Sequence, residues 1–225
     1  MLHKEFQGVT KLFPLPDFVM FPHVVQPLYV FEPRYVEMLE SALEDDHLLS
    51  LGLLKSGWEA DYQGEPPIHS TVCVARIISH SQRSNGHYNI LVAGLHRAKI
   101  VKELENGLLF REAEVELMPE EAESASDIGF GLQTVLARKF RQLMPDSPTA
   151  DEVMSRIMHD DTSLGMLVDI IAFSLPIQLE VKQELLGEPN IEKRAQFLID
   201  HLSDNETDAP FFSLDREFPP DFSHN

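Results

Sequence analysis

A chain of 225 residues with 43% apolar content is long enough for one sizeable domain or two small ones sharing an interface. Its 18 Lys plus Arg against 37 Asp plus Glu give a formal charge of −19, and no Lys/Arg run exceeds two residues, which disfavours sequence-independent nucleic-acid binding. No stretch of 18 apolar residues exists, because the longest, Met166 to Leu175, is interrupted by Asp169, so neither a spanning helix nor a membrane partner is expected.

The first ~118 residues read as mostly β. Lys11 to Leu15 and Val24 to Phe31 are short apolar segments punctuated by Pro14, Pro16, Pro22 and Pro27. Proline cannot donate to a ladder, so these segments belong at strand ends, edges or bulges. Glu32-Pro33 starts a helix, with Pro33 in the first position and Tyr35, Val36, Leu39 and Leu43 as its buried stripe. Leu48 to Leu54 reads as a buried strand and Ser56 to His69 as a loop. Thr71 to Ser81 and His87 to Val92 predict a hairpin about Asn85-Gly86, a pair that tolerates positive φ at both central positions. Arg97 to Leu104 and Leu108 to Leu117 predict two further strands joined at Asn106-Gly107.

An acidic segment, 119–127, separates this half from a helical one. Ile128, Leu132, Val135, Leu136 and Leu143 mark a first helix ending before Pro145. Thr149 and Glu152 form a capping-box pair for a second, carrying Val153, Ile157 and Met158. Leu164, Leu167, Val168, Ile171 and Leu175 mark a third, stopped by Pro176. Leu179 to Leu186 is a fourth, closed by Gly187 as its C′ residue, and Asn190 caps a fifth with Ile191, Ala195, Leu198 and Leu202 inside. The predicted organisation is a β subdomain over 1–118, a linker over 119–127, a helical bundle over 128–202 and an acidic tail over 203–225. That tail holds Phe211, Phe212, Phe218 and Phe222, and disorder, packing on the chain's own body and docking on a partner are all compatible with it.

Several of these segments resemble one family. Leu12-Phe13-Pro14-Leu15-Pro16, Met20-Phe21-Pro22 and Pro27 to Tyr35 are similar to the opening of the N-terminal, substrate-binding domain of Lon-type proteases, with its Phe-Glu-x-Arg-Tyr helix start. Cys73 to Ile78, Tyr88 to Gly94 with Arg97, and Ser174-Leu175-Pro176 followed by Lys182 to Leu186 agree as well, in order, over about residues 10 to 202. The resemblance implies an α+β fold in which a PUA-like β pseudo-barrel precedes a C-terminal α-helical bundle. It also implies a module that contacts unfolded substrates and helps assembly, while the ATPase and Ser–Lys protease chemistry lies in later domains.

The residues hold no catalytic signature of their own. None of the 11 glycines is followed by lysine, so a P-loop is absent, and so are Gly-x-Ser-x-Gly and His-Glu-x-x-His. His80 and His87 flank the Asn-Gly turn and could face each other across the hairpin, as a surface polar pair or a metal pair. His159-Asp160-Asp161 reads as a helix end, and Glu120-Glu121 as solvated linker. Cys73 stands alone in an apolar strand, which excludes an intrachain disulfide and a Cys-rich zinc site and reads as an inert core thiol. No metal, no cofactor and no enzymatic activity are therefore expected. The lone cysteine and the lack of a secretory signal point to the cytoplasm.

The function expected is binding of unfolded or extended polypeptide segments, as an adaptor in regulated proteolysis, with a separate Lon-type protease as a candidate partner and self-association open. Recognition would take place at the barrel surface or in the groove between barrel and bundle, where an exposed strand edge could add a partner strand. Arg34 and Glu37, projecting from the first helix, and Trp58, the only tryptophan, are the candidate peptide-binding residues. Two of them have a structural alternative: an ion pair for Arg34, and for Trp58 a role pinning its loop to the core. The competing class is an RNA-binding module, because PUA-like barrels occur in RNA-binding proteins, and the charge weighs against it.

Overall fold

The computed structural model describes residues 6–62, 64–121, 127–144, 151–152, 154–155 and 162–204. Six strands come first: β1 (Val9–Leu15), β2 (Val25–Val30), β3 (Leu48–Leu53), β4 (Thr71–Gln82), β5 (Tyr88–Leu104) and β6 (Arg111–Leu117). Helix α1 (Pro33–Glu44) lies between β2 and β3, and a short 3₁₀ turn, Trp58–Asp61, between β3 and β4. After β6 come α2 (Asp127–Leu143), α3 (Leu164–Ser174), α4 (Leu179–Gly187) and α5 (Ile191–Asp204). Of the expected second helix, residues 151–152 and 154–155 are helical, whereas Thr149, Val153, Ile157 and Met158, the side chain of Ile128, and the tail beyond residue 204 lie outside the described residues.

The strands form one six-stranded sheet in the order β2-β5-β4-β3-β1-β6. β1 runs parallel to β3, with Leu12 opposite Ser50 and Leu15 opposite Leu53, and every other pairing is antiparallel. The α+β division holds, but the closed PUA-like pseudo-barrel does not. The sheet curls until Ala98–Leu104 of β5 meets β6, yet β2 pairs with β5 alone, and among the described residues no backbone pairing joins β2 to β1. The sheet therefore keeps free strand borders. The cause is the length of β5: its first half takes β2 and its last third takes β6 on the same border, so β2 is left with an unpaired side.

The two strands expected between His87 and Leu104 are that single strand. What reads as a break at Ala93 to His96 is a bulge, marked by the register shift at Val74/Ala75. Gly94 sits there because a Cβ would collide with the Phe21 carbonyl, while His23 and Val24 exchange backbone hydrogen bonds with it at 3.0 and 2.8 Å. The β4–β5 turn also differs from expectation. Only Gly86 has positive φ (85°), and Arg83 accepts from Gly86 and donates to His87, so the loop is longer than a two-residue turn.

The sheet buries both faces. Phe13, Leu49, Leu51, Cys73 and Ile90 join the main core with α1 and the C-terminal helices, while Leu12, Leu48, Val72, Val74, Ala113 and Val115 form a smaller core on the opposite face. That is why β3 is buried at every position. In α1 the buried residues are Tyr35, Met38, Leu39 and Ala42, so the stripe is rotated from the expected one, and Val36 and Leu43 flank it. Burying a side chain the size of Leu39 contributes about 1.5–3 kcal/mol.

The helices end by local chemistry. Ser163 caps α3 by accepting from Met166 N at 3.2 Å, and Asn190 caps α5 by accepting from Lys193 N at 2.9 Å. Gly187 closes α4 as its last helical residue and does not adopt the left-handed conformation expected of a C′ glycine.

One polar cluster joins sheet to helices. Arg97 of β5 holds Asp169 of α3 through both terminal nitrogens, donates to Glu120 Oε1 at 2.8 Å and caps α4 through Nε to the Leu186 carbonyl at 3.1 Å. Arg194 of α5 reaches the same two carboxylates, at 2.8 and 2.7 Å. Both arginines and Asp169 are shut from solvent. Glu120, expected as solvated linker, keeps 36% of its side chain exposed and is also the fourth member of this cluster. Pairing with Asp169 and Glu120 is what makes the two buried guanidinium groups tolerable, although Arg194 Nε is left without a partner.

Candidate functional site

The free border of β2 faces the end of β1. Residues 9–12 of β1 are paired with β6, but Phe13 to Pro16 lie beyond its last rung, which pairs Leu12 with Arg111. Between the facing borders of these two stretches runs a narrow crevice of about 20 Å³, lined by Phe13, Pro14 and Pro16 on one side and Tyr29 and Phe31 on the other, with Tyr35 and Tyr62 beside them. Strand alternation turns Leu28 and Val30 into the core and leaves Tyr29 half-exposed.

Aromatic rings follow the crevice in contact with one another. Phe13 meets Tyr35 at 4.9 Å, Tyr29 stacks with Phe31 at 5.8 Å, and His87 stands edge-on to Tyr29 at 5.5 Å. Trp58 packs edge-on against Tyr62 at 5.3 Å. Such rings offer apolar area with little conformational entropy to lose. The His87 end is fixed by hydrogen bonds: the Tyr29 hydroxyl lies 2.6 Å from His87 Nδ1, and the Asn85 carboxamide nitrogen lies 3.0 Å from the same atom.

Arg34 occupies the centre of this arrangement, turned inward. Its Nε donates to Glu32 Oε2 at 3.1 Å, Nη2 to the Tyr62 carbonyl at 3.0 Å and Nη1 to the Gly64 carbonyl at 3.4 Å. The guanidinium also covers Tyr35 and Tyr62 at 4.7 and 5.0 Å from their ring centres. The Tyr62 hydroxyl donates to Glu32, and burial followed by that bond pushes its ionisation up. Glu32, Arg34 and Tyr62 thus close the 56–64 loop over the start of α1.

The three candidate residues are therefore placed differently. Arg34 and Trp58 meet through Tyr62, Arg34 in the ion-paired arrangement and Trp58 half-buried on the loop. Glu37 lies one turn further along α1, half-exposed, with no side-chain hydrogen bond among the described residues. Sequence reading passed over Tyr29, Phe31 and Tyr62. The alternation of β2 was the available signal for the first two, whereas nothing local places Tyr62 near residue 32.

Other expected constellations do not form. His80 pairs with Ile90 in the β4–β5 register, so it does not face His87. Among the described residues no cluster of three His, Cys, Asp or Glu side chains is placed to hold a metal, and His159-Asp160-Asp161 lies outside them. Cys73 is fully buried, and burial pushes its thiol up to about 12. No helix among the described residues is long and apolar enough to cross a membrane.

The family model for the substrate-binding domain of ATP-dependent protease La (LON) matches residues 9–204. The Lon protease of Bacillus thuringiensis (strain Al Hakam) is 27% identical over 200 residues, which are 89% of this chain and 25% of that protein. Lon protease 2 of Myxococcus xanthus is 28% identical over 209 residues, 90% of this chain and 24% of that protein. The chain thus spans about a quarter of the length of the curated relatives it matches. Among solved structures, the N-terminal domain of Mycobacterium avium complex Lon protease superposes with a TM-score of 0.70 at 19% identity, covering 88% of this chain and 99% of that one. A Lon N-terminal domain protein from Xanthomonas campestris superposes with a TM-score of 0.62 at 18% identity, covering 85% and 97%.

Proposed function

Because this chain belongs to the family of ATP-dependent protease La (LON) substrate-binding domains, we propose that it captures extended, apolar segments of other polypeptides along the β2 border. What the chain shares with Lon proteases is the non-catalytic domain, so the proposed role is recognition, upstream of proteolysis carried out elsewhere.

The observation that supports this site is the coincidence of an unpaired strand border with a row of aromatic side chains. An incoming extended segment adds backbone hydrogen bonds to β2, and its alternate side chains lie on Tyr29, Phe31 and the Pro14–Pro16 rim. Pro27 withholds one donor from β2, as a proline in an edge strand does, so the ladder is interrupted at that rung. Tyr62 forms the outer wall with Trp58 packed against it, Arg34 holds that wall, and Glu37 lies one turn along α1. A Lon-type protease is the partner such an adaptor would serve, and the single buried thiol suits a reducing cytoplasm. The charge of −19 opposes the RNA-binding alternative.

Fluorescence anisotropy with a labelled, unstructured aromatic-rich peptide tests the proposal. Tyr29→Ala combined with Phe31→Ala is expected to weaken binding by about ten-fold or more, since stacking partners at an interface centre are worth upward of 1 kcal/mol each. Unchanged affinity in that double variant and in Trp58→Ala rejects the site.

A further inference from the structure

Next to the crevice, the β5–β6 hairpin presents a second concave surface. A cleft of about 530 Å³ opens between its tip and the 65–67 segment, lined by Glu65, Pro67, Glu103, Glu105, Leu108 and Arg111. It adjoins the crevice through Arg111, which pairs with Leu12 in the β1–β6 register, next to Phe13. Arg111 also donates to the Pro66 carbonyl at 2.8 Å, so the loop that Arg34 holds at Tyr62 and Gly64 is held here from the other side.

Two properties of this surface coincide. Leu108, which lines the cleft, and its neighbour Leu109 on the hairpin tip are 45% and 68% exposed. Glu65, Glu103 and Glu105 line the cleft against a single lining cation, Arg111, and Glu112 stands beside it, bonded to the lining residue Asn106. Arg111 is fully engaged by Glu103, through two hydrogen bonds of 2.7 Å. Glu112 accepts only from Asn106, at 2.7 Å, and Glu65 and Glu105 form no ion pair among the described residues. A purely apolar ligand covering Leu108 and Leu109 would strip water from these carboxylates without replacing it, and an acidic one would be repelled. A ligand with both apolar and cationic side chains satisfies the leucines and the carboxylates together.

We infer that the polypeptide segment bound at the crevice carries Lys or Arg beside its apolar stretch, with the apolar part on the crevice and the exposed leucines and the basic part against Glu65, Glu105 and Glu112. The inference rests on the peptide-binding reading above and adds the chemical class of segment preferred. The overall charge of −19 works in the same direction, since it draws cationic segments toward the surface at low salt.

Three synthetic peptides sharing one aromatic, apolar core and differing only in Lys, Gln or Glu flanks test this against the full chain by anisotropy. The Lys-flanked peptide is expected to bind about ten-fold tighter than the Gln-flanked one, as two or three modest ion pairs together allow, and the Glu-flanked peptide weakest. The preference should collapse in about 1 M salt, where the Debye length is about 3 Å. It should also collapse in the triple variant Glu65→Gln, Glu105→Gln, Glu112→Gln. Equal affinity for the Lys- and Gln-flanked peptides overturns this inference and leaves the peptide-binding reading standing. Failure of all three to bind overturns that reading and the inference with it.

Discussion

Arg34 Nη2 donates to the Tyr62 carbonyl at 3.0 Å, so the first turn of α1 carries the outer wall of the crevice. The side chain is 19% exposed and spends its donors on the protein itself.

Arg34→Ala should therefore act first on the loop. Three hydrogen bonds disappear, one of them to a carboxylate, and stability should fall by about 1–3 kcal/mol. Hydrogen exchange at residues 58–64 should rise while β3–β5 stay protected. Arg34→Lys should not restore the loop, because a point charge cannot reproduce the planar fork that meets Glu32, Tyr62 and Gly64 together. If exchange in this loop is unaltered, the wall is held by something else.

Asp169→Ala should cost more, about 3–5 kcal/mol in urea unfolding, because it leaves Arg97 and Arg194 buried with Glu120 as their one remaining carboxylate. Glu120→Gln should cost less, since Asp169 still holds both guanidinium groups. Equal costs for the two would mean that Asp169 is not the hub.

Lys182 supplies a pH signature. Burial lowers its ammonium to about 8, and Nζ rests on the Phe173 carbonyl at 2.5 Å, above the Phe173 ring. Its folded value lies below the ordinary lysine value of 10.5, so between them the unfolded chain binds more protons than the folded one. Stability from this residue should thus increase as pH rises from about 8 toward 10.5. Lys182→Met should abolish that increment, read as the difference in urea midpoint between the two proteins at each pH. Parallel midpoint curves would show that the amine is not desolvated.

Cys73, with its thiol pushed up to about 12 by burial, should resist iodoacetamide in the native state and react at once in denaturant. Rapid native labelling would mean that the sheet opens locally around β4.

Much of the fold was readable from periodicity. The helical stripes of α2, α3 and α5 contain Leu136, Leu167, Ile171 and Leu198, all shut from solvent, because burial on one helix face is a local property of spacing. What escaped is non-local. Asp169 reads as an interruption in an apolar run, yet it is the hub that binds Arg97, 72 residues away, and Arg194, 25 residues away. The bulge at Gly94 reads as a break, since its cause, the Phe21 carbonyl, comes from another segment. The crevice was hidden for the same reason. Whether β1 and β2 meet depends on strand order and on how far β5 extends, and no residue of either strand encodes that alone.

The free border of β2 also bears on how this protein keeps company with itself. An unpaired strand border can add the same strand of another molecule, and concentrated solutions bring such borders together. At pH 7 each molecule carries a formal charge of −19, so mutual repulsion holds those borders apart. Screening weakens that repulsion, with a Debye length of about 8 Å at 0.15 M salt against about 30 Å at 0.01 M. Colloidal stability of this protein is therefore set by ionic strength as much as by folding, and its acidity guards the strand that its architecture leaves uncovered.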